Sequence, residues 1–234
     1  MLKYFHLIII DQIFNLIFSS QCLSCHQYGT YLCSTCLNKI DFHPIQKCAN
    51  CNKPSINGQT HARCISPLGI DGVFALTHKN QLMSTIIKQL KYRRSSHIIQ
   101  SLIPLINYTP DFLHNFDYLI PIPLHPKRQK DRGFNQSELL ANLIHQHLHT
   151  TLAPPILIRT HSTTPQADIH DRNTRLTNLK HVFSLNPNID KNILKNKSIL
   201  LIDDVSTTGA TLIQATQILK RAHAHIVWGL VLAR

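Results

Sequence analysis

All seven cysteines of this 234-residue chain lie before residue 65, and their spacing limits what that part of the chain can fold into. The cysteines and one histidine form four pairs, each with two intervening residues: Cys22/Cys25, Cys33/Cys36, Cys48/Cys51 and His61/Cys64. Two intervening residues let a tight turn aim both side chains at one ion, and tetrahedral zinc takes four such ligands. The eight side chains therefore predict two zinc ions.

The spacing leaves the grouping of the pairs open. Sequential grouping gives one site from the first two pairs and another from the last two, and a crossed grouping fits the spacing equally well. A disulfide framework is the alternative, but the absence of a recognisable secretory signal favours a reducing compartment. His61 is the weakest member, because a lone histidine near thiols is often a surface residue. A module of this size has too little core to fold alone, so the metal is expected to supply stability and not chemistry.

The first twenty residues are apolar enough to resemble a signal peptide or a membrane span. His6, Asp11 and Asn15 interrupt the run, and no small-residue cleavage site precedes Cys22. The apolar residues recur at three- and four-residue spacing, which predicts an amphipathic helix over residues 1–20 that packs on the next module. A helix on a membrane surface is the alternative. On this interpretation the protein is not an integral membrane protein.

After Cys64, Pro67 and Gly69 mark a boundary, which predicts a zinc module over residues 21–68 and a second domain over residues 69–234. In the second domain, strand and helix patterns alternate. Strands are predicted over residues 73–77, 118–122, 156–158, 198–202 and 225–232. Helices are predicted over residues 81–89, 96–106, 135–147 and 208–220. The alternation predicts an α/β fold in which helices cover both faces of a parallel sheet.

The segment ILLIDDVSTTGAT, residues 199–211, carries the most specific chemistry. Its apolar residues predict a buried strand, Asp203 and Asp204 follow at the strand tip, and a turn rich in hydroxyl groups opens a helix. The free amides of a helix N-terminus bind phosphate, and Gly209 lets the backbone approach a ligand closely. Paired acids beside such a turn suit a diol, a metal ion or both. The alternative is an ordinary helix start whose threonines and aspartates only cap the helix.

A second loop, YLIPIPLHPKRQKDRGFNQ, spans residues 118–136 and also follows a predicted strand. Its prolines stiffen the chain where it leaves the strand. Lys127, Arg128 and Arg132 then present cations that can bind a pyrophosphate group, since arginine pairs phosphate oxygens with two donors at once. A solvated basic face is the alternative for this loop.

Residues 199–211 resemble the phosphoribosyl-pyrophosphate motif of type I phosphoribosyltransferases. The resemblance implies that Asp203 and Asp204, as the catalytic carboxylates, bind the ribose 2- and 3-hydroxyls, with Mg²⁺ on the pyrophosphate side. The residues that it implies for the 5-phosphate are Val205, Ser206, Thr207, Thr208, Gly209, Ala210 and Thr211. It also implies that residues 163–175, with TPQ followed by two arginines, form a loop that closes over the reaction centre. An ordinary linker is the alternative for that segment.

Taken in order, the zinc pairs, IPIPLHPKRQKDRGFNQ, TPQ and LLIDDVSTTGAT resemble the competence protein F (ComF) family, from Cys22 to Arg234. The resemblance implies a double zinc-ribbon domain followed by a phosphoribosyltransferase domain. It further implies a bacterial cytoplasmic protein, peripheral to the inner membrane, that handles incoming single-stranded DNA in natural transformation alongside a helicase or an inner-membrane channel. The chain departs from the family at His61, where a cysteine is usual, and over residues 166–183, which are slightly longer.

The formal net charge of +12 predicts a positive field that attracts phosphates or nucleic acid, although solubility alone also explains it. Two functions remain open. In the first, a DNA-uptake factor binds single-stranded DNA through the zinc module and basic residues, and its phosphoribosyl site is a ligand sensor or a relic. In the second, an active transferase joins ribose phosphate to a nucleobase or another acceptor. The basic residues considered for the first function are Lys88, Lys91, Arg93 and Arg94.

Overall fold

The computed structural model describes residues 20–42, 45–91, 95–160 and 182–234. The helix predicted over residues 1–20 lies outside these ranges except for its last residue. The closing loop predicted over residues 163–175 lies outside them entirely, as do Arg93 and Arg94.

The described elements follow the predicted alternation of strands and helices. The strands are β1 (Gly72–Thr77), β2 (Tyr118–Pro121), β3 (Leu157–Arg159), β4 (Phe183–Leu185), β5 (Ser198–Val205) and β6 (Ile226–Ala233). The α-helices are α1 (Ser34–Leu37), α2 (Gln81–Gln89), α3 (Ser95–Gln100), α4 (Ile103–Ile106), α5 (Pro126–Arg132), α6 (Gln136–Leu148) and α7 (Ala210–Arg221). Short 3₁₀ helices lie at Ile56–Gly58, Ala62–Cys64, Asp111–Asn115 and Lys191–Leu194.

The main sheet is parallel, with the strand order β1-β6-β5-β2. Successive residues of a strand point to opposite faces, so the apolar run of β5 is shared between two cores. Leu200 and Ile202 pack with α2 and α6 on one face, whereas Ile199 and Leu201 pack with α7 on the other. All four side chains are fully buried. Helices therefore cover both faces of a parallel sheet, which confirms the predicted fold class.

The strand predicted over residues 156–158 is present as β3, but it lies outside the main sheet. The chain runs beside β2 only as far as Ala153, whose amide donates to the Leu119 carbonyl at 2.9 Å. Pro154 and Pro155 follow and have no N–H to extend this ladder. The chain turns away, and β3 pairs instead with β4 as an antiparallel two-stranded sheet.

Local sequence signals predict some of the helix boundaries correctly and others not. α2 has the predicted bounds. The helix predicted over residues 96–106 is divided into α3 and α4, because Pro104 cannot donate to the preceding turn and its ring clashes there. α5 lies within the predicted second loop and was not predicted, although Pro126 at its first turn and Gly133 at its end, with φ 81°, are typical helix boundaries.

The cysteine-rich part of the chain packs on both faces of the main sheet. Cys22, Cys33, Cys36 and Ile40 join the core that contains α6. Ala49 joins the core that contains α7. The same sheet therefore anchors both halves of this module. Among the described residues, no helix has the length and apolar character needed to cross a membrane.

Candidate metal centres and phosphate-binding site

The first cluster consists of Cys22, Cys25, Cys33 and Cys36, whose sulfur atoms all lie within 4.8 Å of one another. The Sγ atoms of Cys25 and Cys33 are 3.6 Å apart. A tetrahedral zinc ion with four Zn–S bonds of about 2.3 Å has ligand-to-ligand edges of about 3.8 Å. The spacing of the four thiols therefore fits zinc, and the grouping is the sequential one.

The second cluster consists of Cys48, Cys51, His61 and Cys64, again with ligand atoms within 4.8 Å of one another. His61 Nδ1 lies 3.2 Å from Cys51 Sγ. On the other side of the ring, Nε2 is 3.0 Å from the Pro54 carbonyl and donates to it. Nδ1 thus faces the thiols while Nε2 is bonded to a backbone carbonyl, as the outer partners of metal-bound histidines are arranged. The structure thus groups the histidine with the cysteines.

The first cysteine of each cluster is poised to ionise. Burial raises the pKa of Cys22, but hydrogen bonds from the backbone amides of Cys25 and Cys33 outweigh it and lower the pKa to about 6. Burial likewise opposes ionisation of Cys48, and the amides of Cys51 and His61 lower its pKa to about 6. Each cluster therefore offers a thiolate, the form that binds metal, at neutral pH.

All seven cysteines are free thiols, and each cluster supplies four ligand atoms. Four protein ligands complete a tetrahedral zinc shell and leave no position for a substrate. The two clusters could thus hold structural zinc ions.

The segment from the last three residues of β5 to the start of α7, residues 203–211, is called the phosphate loop below. It turns at Gly209, whose φ of 77° is left-handed and favours glycine, and it ends in α7, which begins at Ala210. The Ser206 amide donates to the Ala233 carbonyl at 3.2 Å, which ties the loop to β6. The Ala210 amide makes a long bond of 3.4 Å to Thr208 Oγ1, and Gly209 at the N-cap has no side chain to cap the helix. The loop therefore presents a helix N-terminus, as predicted.

Two buried polar groups near this loop lack hydrogen-bond partners among the described residues: Ser206 Oγ and Gln136 Nε2. Both residues are only 4% exposed. A buried polar group usually has a partner, and an unpaired one often marks a place where a ligand, ion or water completes the hydrogen bonding. Ser206 belongs to the predicted phosphate site, whereas Gln136 was not predicted.

The carboxylate pair lies where β5 meets the start of α6. Asp203 Oδ1 accepts hydrogen bonds from Ser137 Oγ at 3.1 Å and from the Asp204 amide at 2.9 Å. Burial, and then the charge of Asp204, raise the pKa of Asp203 to about 8, against the two hydrogen bonds and the charge of Arg159. A cation or a hydroxyl donor beside Asp203 would favour its ionised form.

Arg159, at the end of β3, is a cation of this site that sequence analysis missed. Its guanidinium lies over the Phe183 ring at 5.5 Å. Burial and the charge of Arg128 lower its pKa, while the charge of Asp203 raises it. Two arginines thus lie on the carboxylate side of the site. Arg128 was predicted to bind there; Lys127 is exposed on α5, and its role and that of Arg132 remain predictions.

Asn135 and Ser137 were also missed, and they fix the start of α6. Asn135 Oδ1 accepts from the Ser137 amide at 3.1 Å, and its Nδ2 donates to the Ile122 carbonyl at 3.0 Å. This bond joins the two ends of the second loop. An asparagine before an apolar helical pattern is a recognisable N-cap signal. No comparable sequence signal marks Arg159, because it lies on β3, outside the main sheet.

The phosphoribosyl transferase domain family matches residues 137–234. Together with the parallel sheet and the phosphate loop, this match defines the chain as a protein with a phosphoribosyltransferase domain. Within that class its relatives include ComF, ComFC and YhgH proteins, and its two clusters fit a double zinc ribbon.

Three relatives illustrate the similarity. "Competence protein F" of Haemophilus influenzae is 28% identical over 230 residues, 92% of this chain and 98% of the relative. "DNA utilization protein YhgH" of Escherichia coli K12 is 33% identical over 156 residues, 62% of this chain and 65% of the relative. "Competence protein ComFC" of Bacillus subtilis is 29% identical over 141 residues, 57% of this chain and 51% of the relative.

Proposed function

We propose that this protein is a DNA-uptake factor whose phosphoribosyltransferase domain binds phosphoribosyl pyrophosphate with Mg²⁺. In this proposal it handles incoming single-stranded DNA in the bacterial cytoplasm, peripheral to the inner membrane. The observation that carries the ligand assignment is the buried Ser206 hydroxyl, which has no hydrogen-bond partner among the described residues and lies between a carboxylate pair and the N-terminus of α7. The names of the relatives, which refer to competence and DNA utilization, support the role in DNA uptake.

The phosphate loop would bind the sugar phosphate end of the ligand. The amides at the start of α7 and the Ser206 hydroxyl would donate to the 5-phosphate, because a helix N-terminus attracts anions. Asp203 and Asp204 would accept from the ribose hydroxyls. Such donors favour the ionised form of Asp203, whose pKa of about 8 without ligand reflects burial and the Asp204 charge.

The basic side of the site would bind the pyrophosphate. Arg128 and Arg159 lie close enough for the charge of one to lower the pKa of the other. A dianionic or trianionic group between them would remove this repulsion and accept several charge-assisted hydrogen bonds. Mg²⁺, a hard cation that prefers oxygen ligands, would neutralise further charge on the pyrophosphate when bound.

A decisive experiment is calorimetric titration of the zinc-loaded protein with phosphoribosyl pyrophosphate and Mg²⁺. We expect binding by the unaltered chain and none by the double variant Asp203→Asn with Asp204→Asn. Asp111→Asn is a matched control, because this aspartate is exposed on a separate 3₁₀ helix. Equal affinity of the double variant and the control would rule out the ligand site.

The proposed contact with single-stranded DNA is electrostatic. Lys88 and Lys91 are exposed at the end of α2, and the chain carries a net charge of +12. Neutralised phosphates release counterions, so the affinity should fall steeply with salt concentration. Fluorescence anisotropy with a labelled oligonucleotide at several salt concentrations measures this dependence, and a flat response would contradict the proposed contact. A helicase or inner-membrane channel is the partner expected from the family.

An active phosphoribosyltransferase is the second candidate function, and the Arg128/Arg159 pair favours it. An acceptor such as a nucleobase nitrogen would displace pyrophosphate from the ribose, and the two cations would stabilise the developing charge on this leaving group. Release of pyrophosphate with a panel of nucleobases tests this function. Turnover that requires both protein and acceptor, and that Asp203→Asn abolishes, would establish it.

A further inference from the structure

The turn that carries the second cluster packs directly behind the phosphate loop. Ala49, between the ligands Cys48 and Cys51, is fully buried in the core that contains α7. A Cβ atom placed on Gly209 would lie 3.7 Å from the Ala49 carbonyl oxygen and 3.8 Å from Ala49 Cβ. These are van der Waals distances, so the Cys48–Cys51 turn packs against the loop at Gly209, just before α7 begins. The surface that Ala49 presents to Gly209 is called the Ala49 wall below.

Hydrogen bonds fix this turn to the strand beside the loop. The Arg234 guanidinium donates to the Lys47 carbonyl at 2.5 Å and to the Cys48 carbonyl at 3.3 Å. Arg234 directly follows β6, and the carbonyl of Ala233 accepts from the Ser206 amide. A short chain of bonded groups thus leads from a ligand of the second cluster to a residue of the phosphate loop.

Two amide side chains complete the attachment. Gln46 Nε2 donates to the Ala75 carbonyl at 2.9 Å, and the Ala75 amide donates back to Gln46 Oε1 at 2.9 Å. Asn50 Nδ2 donates to the Cys64 carbonyl at 2.7 Å, which joins the two pairs of ligands. The position of the Ala49 wall therefore depends on a turn held between β1 and the remaining ligands of the second cluster.

We propose that the second cluster positions the phosphate loop, so that metal binding at Cys48, Cys51, His61 and Cys64 and phosphoribosyl pyrophosphate binding at residues 203–211 strengthen each other. This inference rests on the proposed ligand. The metal joins the Cys48–Cys51 turn to His61 and Cys64; without it, the Ala49 wall can move and the loop loses its fixed geometry. Coupling between binding sites is reciprocal, so the ligand must also retain the metal.

The first cluster provides an internal comparison. Cys22, Cys33 and Cys36 pack into the core on the opposite face of the main sheet, with α6. Loss of metal there removes support from that face, whereas loss at the second cluster removes the wall behind Gly209. The two clusters are therefore predicted to differ in their effect on ligand affinity.

The first experiment compares Cys51→Ser with Cys25→Ser, which each remove the second thiol of one pair. Calorimetry with phosphoribosyl pyrophosphate and Mg²⁺ should show at least about a fivefold loss of affinity for Cys51→Ser, the lower end of typical coupling. The loss of affinity for Cys25→Ser should be smaller than the loss for Cys51→Ser. Equal losses in both variants, or no loss in either, would overturn the coupling.

The second experiment leaves all eight metal ligands unaltered. Zinc transfer from the unaltered protein to a chromophoric chelator is followed with and without phosphoribosyl pyrophosphate. Release of one ion should slow at least about fivefold and release of the other should not. The double variant Asp203→Asn with Asp204→Asn controls for direct effects of the added ligand on zinc, and should show no slowing.

The outcomes separate this inference from the proposed function. If the unaltered protein does not bind phosphoribosyl pyrophosphate, the proposed function fails and the coupling fails with it. If it binds and the ligand slows the release of neither ion, or slows both equally, only the coupling fails.

Discussion

Gly209 offers a direct test of the phosphate loop, because its replacement by alanine changes backbone conformation without crowding. The φ of Gly209 is 77°, which L-residues adopt with difficulty. An added Cβ would meet Ile213 Cδ1 at 3.6 Å and the Ala49 carbonyl at 3.7 Å, both ordinary contacts. The expected effect of Gly209→Ala therefore comes from backbone strain.

The size of that effect follows from the conformation. A left-handed conformation costs a non-glycine residue about 1–2 kcal/mol. In the free variant the loop can change its conformation and relieve this strain. The bound ligand requires the original conformation, so binding must restore whatever strain was relieved. A factor of ten in affinity corresponds to about 1.4 kcal/mol, so full relaxation would weaken phosphoribosyl pyrophosphate binding by about five- to thirtyfold.

Calorimetric titration with phosphoribosyl pyrophosphate and Mg²⁺ measures this loss, and thermal unfolding measures the accompanying change in stability. Gly29→Ala is a matched control: Gly29 also has a positive φ, 109°, and an added Cβ there meets nothing within 4 Å. It should lower stability and change the ligand affinity less than twofold. If Gly209→Ala loses much less than about 1–2 kcal/mol of stability, so that the free loop has relaxed, and still keeps the affinity of the unaltered protein within twofold, the ligand does not use the phosphate loop.

Three further predictions concern charge and metal. Arg159→Gln should weaken binding of inorganic pyrophosphate by at least about tenfold, since hydrogen bonds to charged groups contribute about 1.5–3 kcal/mol, while the exposed Arg221→Gln should change it less than twofold in the same titration. Because the pKa of Asp203 rises from 3.8 to about 8 on folding, the folded state binds the extra proton, so the free energy of unfolding should fall as pH rises from about 4 to about 8. Denaturant unfolding across this range should show a shallower slope for Asp203→Asn, and an identical slope would contradict the raised pKa. Chelation of zinc should lower the melting temperature measured by circular dichroism, and added Zn²⁺ but not Mg²⁺ should restore it, because only the former suits thiolate ligands.

The main sheet could be predicted because its signals are local. The apolar run of β5 leads directly into Asp203, Asp204 and the turn at Gly209, so one contiguous segment specifies a strand, a carboxylate pair and a helix start. The bounds of α2 also follow from local pattern. Pro104 carried the signal that divides α3 from α4, but the apolar periodicity on either side of it concealed the break.

Other features depend on contacts between distant parts of the chain. Spacing alone permits both groupings of the cysteine pairs, and only the path of the chain brings the first four ligands together. Arg159 lies close enough to Asp203 for their charges to interact because the chain turns away from β2 at Pro154 and Pro155, and no local sequence signal reveals this. Ala49 and Gly209 likewise lack any local signal of their contact.

The distribution of these contacts bears on why a metal-binding module accompanies a phosphoribosyltransferase domain. In this chain Ala49 packs behind the phosphate loop just before α7 begins, and it lies on the turn between two ligands of the second cluster. Without a metal ion, hydrogen bonds such as those of Gln46 and Asn50 would hold this turn, and it would move with the segments to which they attach it. A metal ion bound at the second cluster would fix four positions of the chain at once. The shape of the ligand site would then depend on the shape of the small module. If that is so, the ability of the chain to bind phosphoribosyl pyrophosphate should follow the metal content of one cluster more closely than that of the other.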